Sequence, residues 1–116
     1  MSPLVIAIIL FAIAAVFGGT MAVLRFSNKP ISLGMALGHG AFAALGLVTL
    51  IVAVAKGASG LAVGALVLFL AAAAGGFYLF SKYLRKIELP IPLVVIHGLA
   101  AVTGFLMLLI AVATLG

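Results

Sequence analysis

HGAFAALGLVTLIVAVA occupies residues 39–55, and HGLAAVTGFLMLLIAVA occupies residues 97–113. At this offset of 58 the two stretches share His39/His97, Gly40/Gly98, Ala43/Ala101, Gly46/Gly104, Leu50/Leu108, Ala53/Ala111, Val54/Val112 and Ala55/Ala113. Apolar composition alone readily produces matches among Ala, Leu and Val. It does not readily produce a His-Gly pair followed at the same interval by a second Gly. These are the only two histidines in the chain, and each opens an apolar run suited to hydrocarbon.

Two more such runs lie outside the quoted pair. The four cover about 3–24, 31–55, 60–81 and 89–115, each long enough for the ~20 residues that cross a bilayer core. None alternates as a barrel strand does, so helices are expected. The composition agrees: 68% of the 116 residues are hydrophobic and 6% are charged, against roughly 25% charged in soluble domains. The links RFSNKP, AKGASG and KYLRKIELP are short, which makes successive helices antiparallel. The fold expected is an all-α, four-helix up-down-up-down membrane bundle. It forms one domain of two tandem hairpins, about 3–57 and 60–115.

The first run lacks the basic start of a secretory signal and is read as a helix of the bundle. Without cysteine there is no disulfide, thiolate metal site or covalent haem attachment. The net charge of +5 does not point to nucleic acid, because its distribution is one-sided. Arg25 and Lys29 lie in the first link, Lys82, Arg85 and Lys86 in the third, and Lys56 alone in the second. The positive-inside rule then places links 25–30 and 82–90 in the cytoplasm and both termini outside, in a membrane such as the bacterial inner membrane. The same cations suit anionic lipid.

Helices one and three align at an offset of 57, which pairs Gly18-Gly19 with Gly75-Gly76 and Arg25-Phe26 with Lys82-Tyr83. Pro30 is expected to open helix two, and Pro90 or Pro92 helix four. That puts His39 and His97 about 10–14 Å into their helices at 1.5 Å per residue. The glycine pairs come to a similar depth. In a bundle, helices two and four lie on a diagonal about 14 Å across. Two imidazoles there can reach one metal atom between them. Helices one and three would leave room for a flat macrocycle at their glycines. Arg25, Arg85 and the neighbouring lysines could meet its carboxylates, with Thr20, Thr49 and Thr103 as supporting hydrogen-bond partners.

With these histidines at matched depth, the chain resembles the small membrane-embedded b-type cytochromes, such as the haem-carrying anchors of respiratory enzymes. The resemblance implies one b-type haem, with His39 and His97 as metal ligands and Gly18, Gly19, Gly75, Gly76, Arg25 and Arg85 around it. It also implies electron transfer with a protein redox partner or larger membrane complex, and with a quinone. Members with two haems carry four histidines; this chain supplies one axial pair. Two other classes stay open. One is a structural subunit in which the histidines only pack, since intramembrane polar groups face the bundle interior. The other is a small transporter or channel, for which the chain offers no intramembrane carboxylate.

Overall fold

The computed structural model describes residues 1–115. It contains four helices: α1 (Pro3–Phe26), α2 (Leu33–Ala55), α3 (Leu61–Leu84) and α4 (Ile91–Leu115). No strand occurs among the described residues. Each helix is long and apolar enough to cross a membrane, as expected of an integral membrane protein.

The helix ends follow local rules. Ser2 and Ser32 cap α1 and α2, each accepting the backbone N–H three residues on, at 3.2 and 3.1 Å. Helix α2 therefore starts at Leu33, behind Ser32, and not at Pro30 as the proline alone suggests. Three ends close by one device. The N–H of Lys29, Ala58 and Ile87 reaches back to the carbonyl of Leu24, Ala53 and Lys82. The residue before each has positive φ: Asn28 (54°), Gly57 (111°) and Lys86 (58°). This left-handed turn satisfies carbonyls that the helix end leaves open.

Packing is dense within the hairpins α1–α2 and α3–α4 and sparse between them, along α1–α4 and α2–α3. Among the described residues, neither α1 and α3 nor α2 and α4 bring their backbones within 8 Å. These two pairs are the diagonals of a four-cornered bundle. Residue numbers fall along α1 as they rise along α2, from Gly18 beside His39 to Phe11 beside Gly46.

The buried residues are Leu4, Ala7, Phe11, Ala14, Gly46, Leu50 and Ala53, and, 58 positions on, Ala62, Ala65, Phe69, Ala72, Gly104, Leu108 and Ala111. Every one has its partner in the other hairpin. The repeat seen in helices two and four thus extends to the whole chain at 58. For helices one and three this corrects the offset of 57: Gly18 corresponds to Gly76, and Arg25 to Tyr83. Each site holds two glycines, and these also align at 57.

The core lies towards one end, near Ser2 and Lys56. There Phe11 and Phe69 stack across a diagonal, with ring centres 3.8 Å apart and planes within 1°. Gly46 and Gly104 admit these rings; a Cβ on either would stand 3.0–3.1 Å from a ring atom. Towards the other end, that of Arg25 and Lys86, no described residue in 15–45 or 73–103 is buried.

Candidate functional site

The histidines lie where the closed half gives way to the open one. Each is the seventh residue of its helix, about 9 Å from its start. His39 Nδ1–H donates to the Ala14 carbonyl at 2.8 Å, and His97 Nδ1–H donates to the Ala72 carbonyl at 2.7 Å. Both acceptors lie inside helices, where a carbonyl ordinarily serves only the N–H four residues on. That residue is Gly18 or Gly76. Lacking Cβ, it leaves the carbonyl approachable from the side. A Cβ on Gly18 would stand 2.9 Å from His39 Cε1, and one on Gly76 3.0 Å from His97 Cε1.

Gly18 and Gly76 thus seat the imidazoles themselves, and the slot they leave is not spare room for a macrocycle. Their neighbours differ. Gly75 lies beside His97, a Cβ there coming 3.8 Å from Nδ1, whereas Gly19 is exposed with nothing within 4 Å of that position.

The imidazoles approach each other across the second diagonal. Their ring centres are 6.0 Å apart, with planes at 76°. Two rings ligating one metal atom stand about 6 Å apart, from a metal–nitrogen bond of about 2 Å and about 1 Å more to each ring centre. With Nδ1–H bonded to a carbonyl, Nε2 keeps the lone pair. That is the arrangement in which ligating histidines are commonly held. Among the described residues no group of three or more His, Cys, Asp or Glu comes together. The pair offers two nitrogen donors, fewer than a protein-only metal site usually takes.

The cations gather at the open end but are differently engaged. Arg25 has 12% of its side chain exposed. Its Nε donates to the Leu89 carbonyl at 2.7 Å, Nη2 to Glu88 Oε1 at 2.6 Å and Nη1 to Asn28 Oδ1 at 3.2 Å. This network, which the sequence did not suggest, already occupies the guanidinium expected to meet carboxylates. Arg85 is exposed and turns back to the Ser81 carbonyl and hydroxyl. Lys82 lies over the Tyr78 ring, 5.1 Å from its centre. Lys29 and Lys86 are exposed. Thr20, Thr49 and Thr103 each donate to a carbonyl of their own helix at 2.7 Å, four residues back, and none of these bonds reaches a histidine.

No protein family, curated protein or solved structure matches this chain.

Proposed function

We propose that this chain is a membrane electron carrier that holds one b-type haem between His39 and His97. The observation that carries the reading is the imidazole pair. The rings stand 6.0 Å apart across a diagonal, each with Nδ1–H bonded to a backbone carbonyl. A packing histidine needs one such bond. Ligation adds a use for the second imidazole, which stands edge to face with it from the opposite hairpin.

Bound there, the group would supply one-electron chemistry at a six-coordinate iron. The protein's part is to hold and to exclude. Ala14 and Ala72 fix both ring orientations. The Phe11–Phe69 stack closes the side away from Arg25 and keeps water out. A planar ligand would enter along the sparsely packed seam between the hairpins, on the open side. Arg85, Lys29 and Lys86 are the cations best able to meet carboxylates there, since Arg25 is bound to Glu88 and Leu89.

In the membrane the helices run up-down-up-down. Both basic links face the cytoplasm, both termini lie outside, and the inner membrane of a bacterium is the setting. Such a carrier exchanges electrons with a protein partner or larger membrane complex, or with a quinone. The test is a visible spectrum of the detergent-purified chain, oxidised and then reduced with dithionite. A sharp reduced α band at about one haem per chain is expected. A colourless protein after haem supplementation during expression would overturn the reading and leave a structural subunit with packed histidines.

A further inference from the structure

At the open end two side chains cross from one hairpin to the other. Arg25, near the end of α1, donates to the carbonyl of Leu89, just before α4. Tyr83, near the end of α3, donates from its hydroxyl to the carbonyl of Ile31, just before α2, at 2.9 Å. Arg25 and Tyr83 are 58 residues apart, as are Ile31 and Leu89. The two crossings are therefore equivalent in the repeat although their donors are chemically unlike. Each takes up a carbonyl that no helix satisfies. Arg25 adds the ion pair to Glu88, on the same link as Leu89.

These crossings bear on the histidines through rigid helices. Helix α1 seats His39, through Ala14 and Gly18. Helix α4 carries His97, eight residues after Leu89. The Arg25–Leu89 bond therefore ties the seat of one imidazole to the helix bearing the other. Tyr83–Ile31 does the same with the hairpins exchanged. Between this level and the Ala14–Ala72 level no described residue is buried, so apolar packing does little to fix the gap.

We infer that Arg25 and Tyr83 are positioning residues: a paired clasp that closes the open end and sets the distance between His39 and His97. Releasing it lets the hairpins part along their seam, the path by which a planar ligand enters. The positioning role rests on the haem reading; the mechanical clasp does not.

The absence of cysteine makes the test direct. Ser27→Cys with Leu84→Cys, spin-labelled, reports the hairpin separation at the open end; Lys56→Cys with Ala113→Cys reports it at the closed end. Each pair is placed in the parent chain, in Tyr83→Phe and in Arg25→Ala. The clasp predicts a longer and broader open-end distance in both variants, with the closed-end distance unchanged. Tyr83→Phe loses only a hydroxyl, so it stays informative if Arg25→Ala does not fold. On the haem-loaded protein, each variant should change the low-spin electron paramagnetic resonance signature and release haem to a scavenger about five- to tenfold faster, the size expected for one lost hydrogen bond. An unchanged open-end distance in Tyr83→Phe would overturn the clasp. A lengthened distance with parent-like resonance and release would overturn the positioning role. A colourless parent whose distance still lengthens would sink the haem reading and with it the positioning role, while the mechanical clasp stands.

Discussion

At the Lys56 end, Phe11 from α1 fits Gly46 of α2, and Phe69 from α3 fits Gly104 of α4. At the level of the histidines the direction reverses: His39 from α2 fits Gly18 of α1, and His97 from α4 fits Gly76 of α3. One device, a ring received by a glycine on the paired helix, is used at both levels of each hairpin, and Phe17 against Gly38 adds a third instance in the first. In the closed half the rings are hydrocarbon and meet face to face at 3.8 Å. In the open half they are imidazoles, and their centres stay 6.0 Å apart. The first gap is filled by the rings themselves. The second leaves the rings edge to face, at planes of 76°. The same backbone solution thus serves cohesion in one place and, on our proposal, ligation in the other.

Substitutions should separate those roles. The largest effect expected is from His39→Ala or His97→Ala: either should abolish the six-coordinate spectrum while costing the bundle only a hydrogen bond, about 1 kcal/mol. A single variant with full haem content would refute the ligand assignment. Next come the glycine seats. Gly18→Ala puts a methyl 2.9 Å from His39 Cε1, so the spectrum should weaken or shift. Gly46→Ala puts one 3.0 Å from Phe11, which should cost about 1–3 kcal/mol by overpacking and leave the spectrum intact. Thermal unfolding followed by helix circular dichroism, beside visible spectra, distinguishes the two. Gly19→Ala meets nothing within 4 Å and should only stabilise, by about 0.5–1 kcal/mol of helix propensity. If Gly18→Ala and Gly46→Ala behaved alike, the division between halves would fail.

A cavity probes the closed half alone. Leu50 and Leu108 are fully buried equivalents. Leu50→Ala and Leu108→Ala should each cost about 2 kcal/mol or more in lost packing, by similar amounts. A large inequality would mean that the repeat holds in geometry but not in energetics.

The sequence disclosed much of this bundle and little of its clasp. Four apolar runs and a one-sided set of cations were legible because span length and loop charge are read over many residues. The matched histidines stood out as polar groups among apolar ones. The depth of the glycines was legible, but their register was not: Gly18-Gly19 matches Gly75-Gly76 in full at 57 and only as Gly18/Gly76 at 58. Phe11/Phe69 and Ala14/Ala72 mark the true offset of 58, a signal present but faint among so many alanines. The expected start of α2 at Pro30 gave way to Ser32, whose hydroxyl caps the helix. Tyr83 and Arg25 share no chemistry, and their acceptors are backbone carbonyls, so nothing in the residue types could pair them. Contacts made to main chain leave no mark on the identity of the residue that accepts them.

The smallest effect expected lies in the turns that end α1, α2 and α3. All three need a left-handed residue, and only the turn at the closed end uses glycine, Gly57. At the open end Asn28 and Lys86 hold φ of 54° and 58°. Asn tolerates this region through its short polar side chain; a lysine has no such relief, and left-handed backbone costs it about 1–2 kcal/mol. Lys86→Gly removes that strain but frees the unfolded chain, so a net gain of about 0.5–1 kcal/mol in thermal unfolding is expected. Asn28→Gly should gain less. The comparison bites when haem affinity is measured in parallel. A chain under selection for stability alone would have glycine at 86 as it does at 57. If Lys86→Gly stabilises the bundle and weakens haem retention, the strained turn is kept for the charge it carries over the open end. If retention is unchanged, that charge serves only the membrane surface, and the anionic groups of a ligand must be met by Arg85 and Lys29.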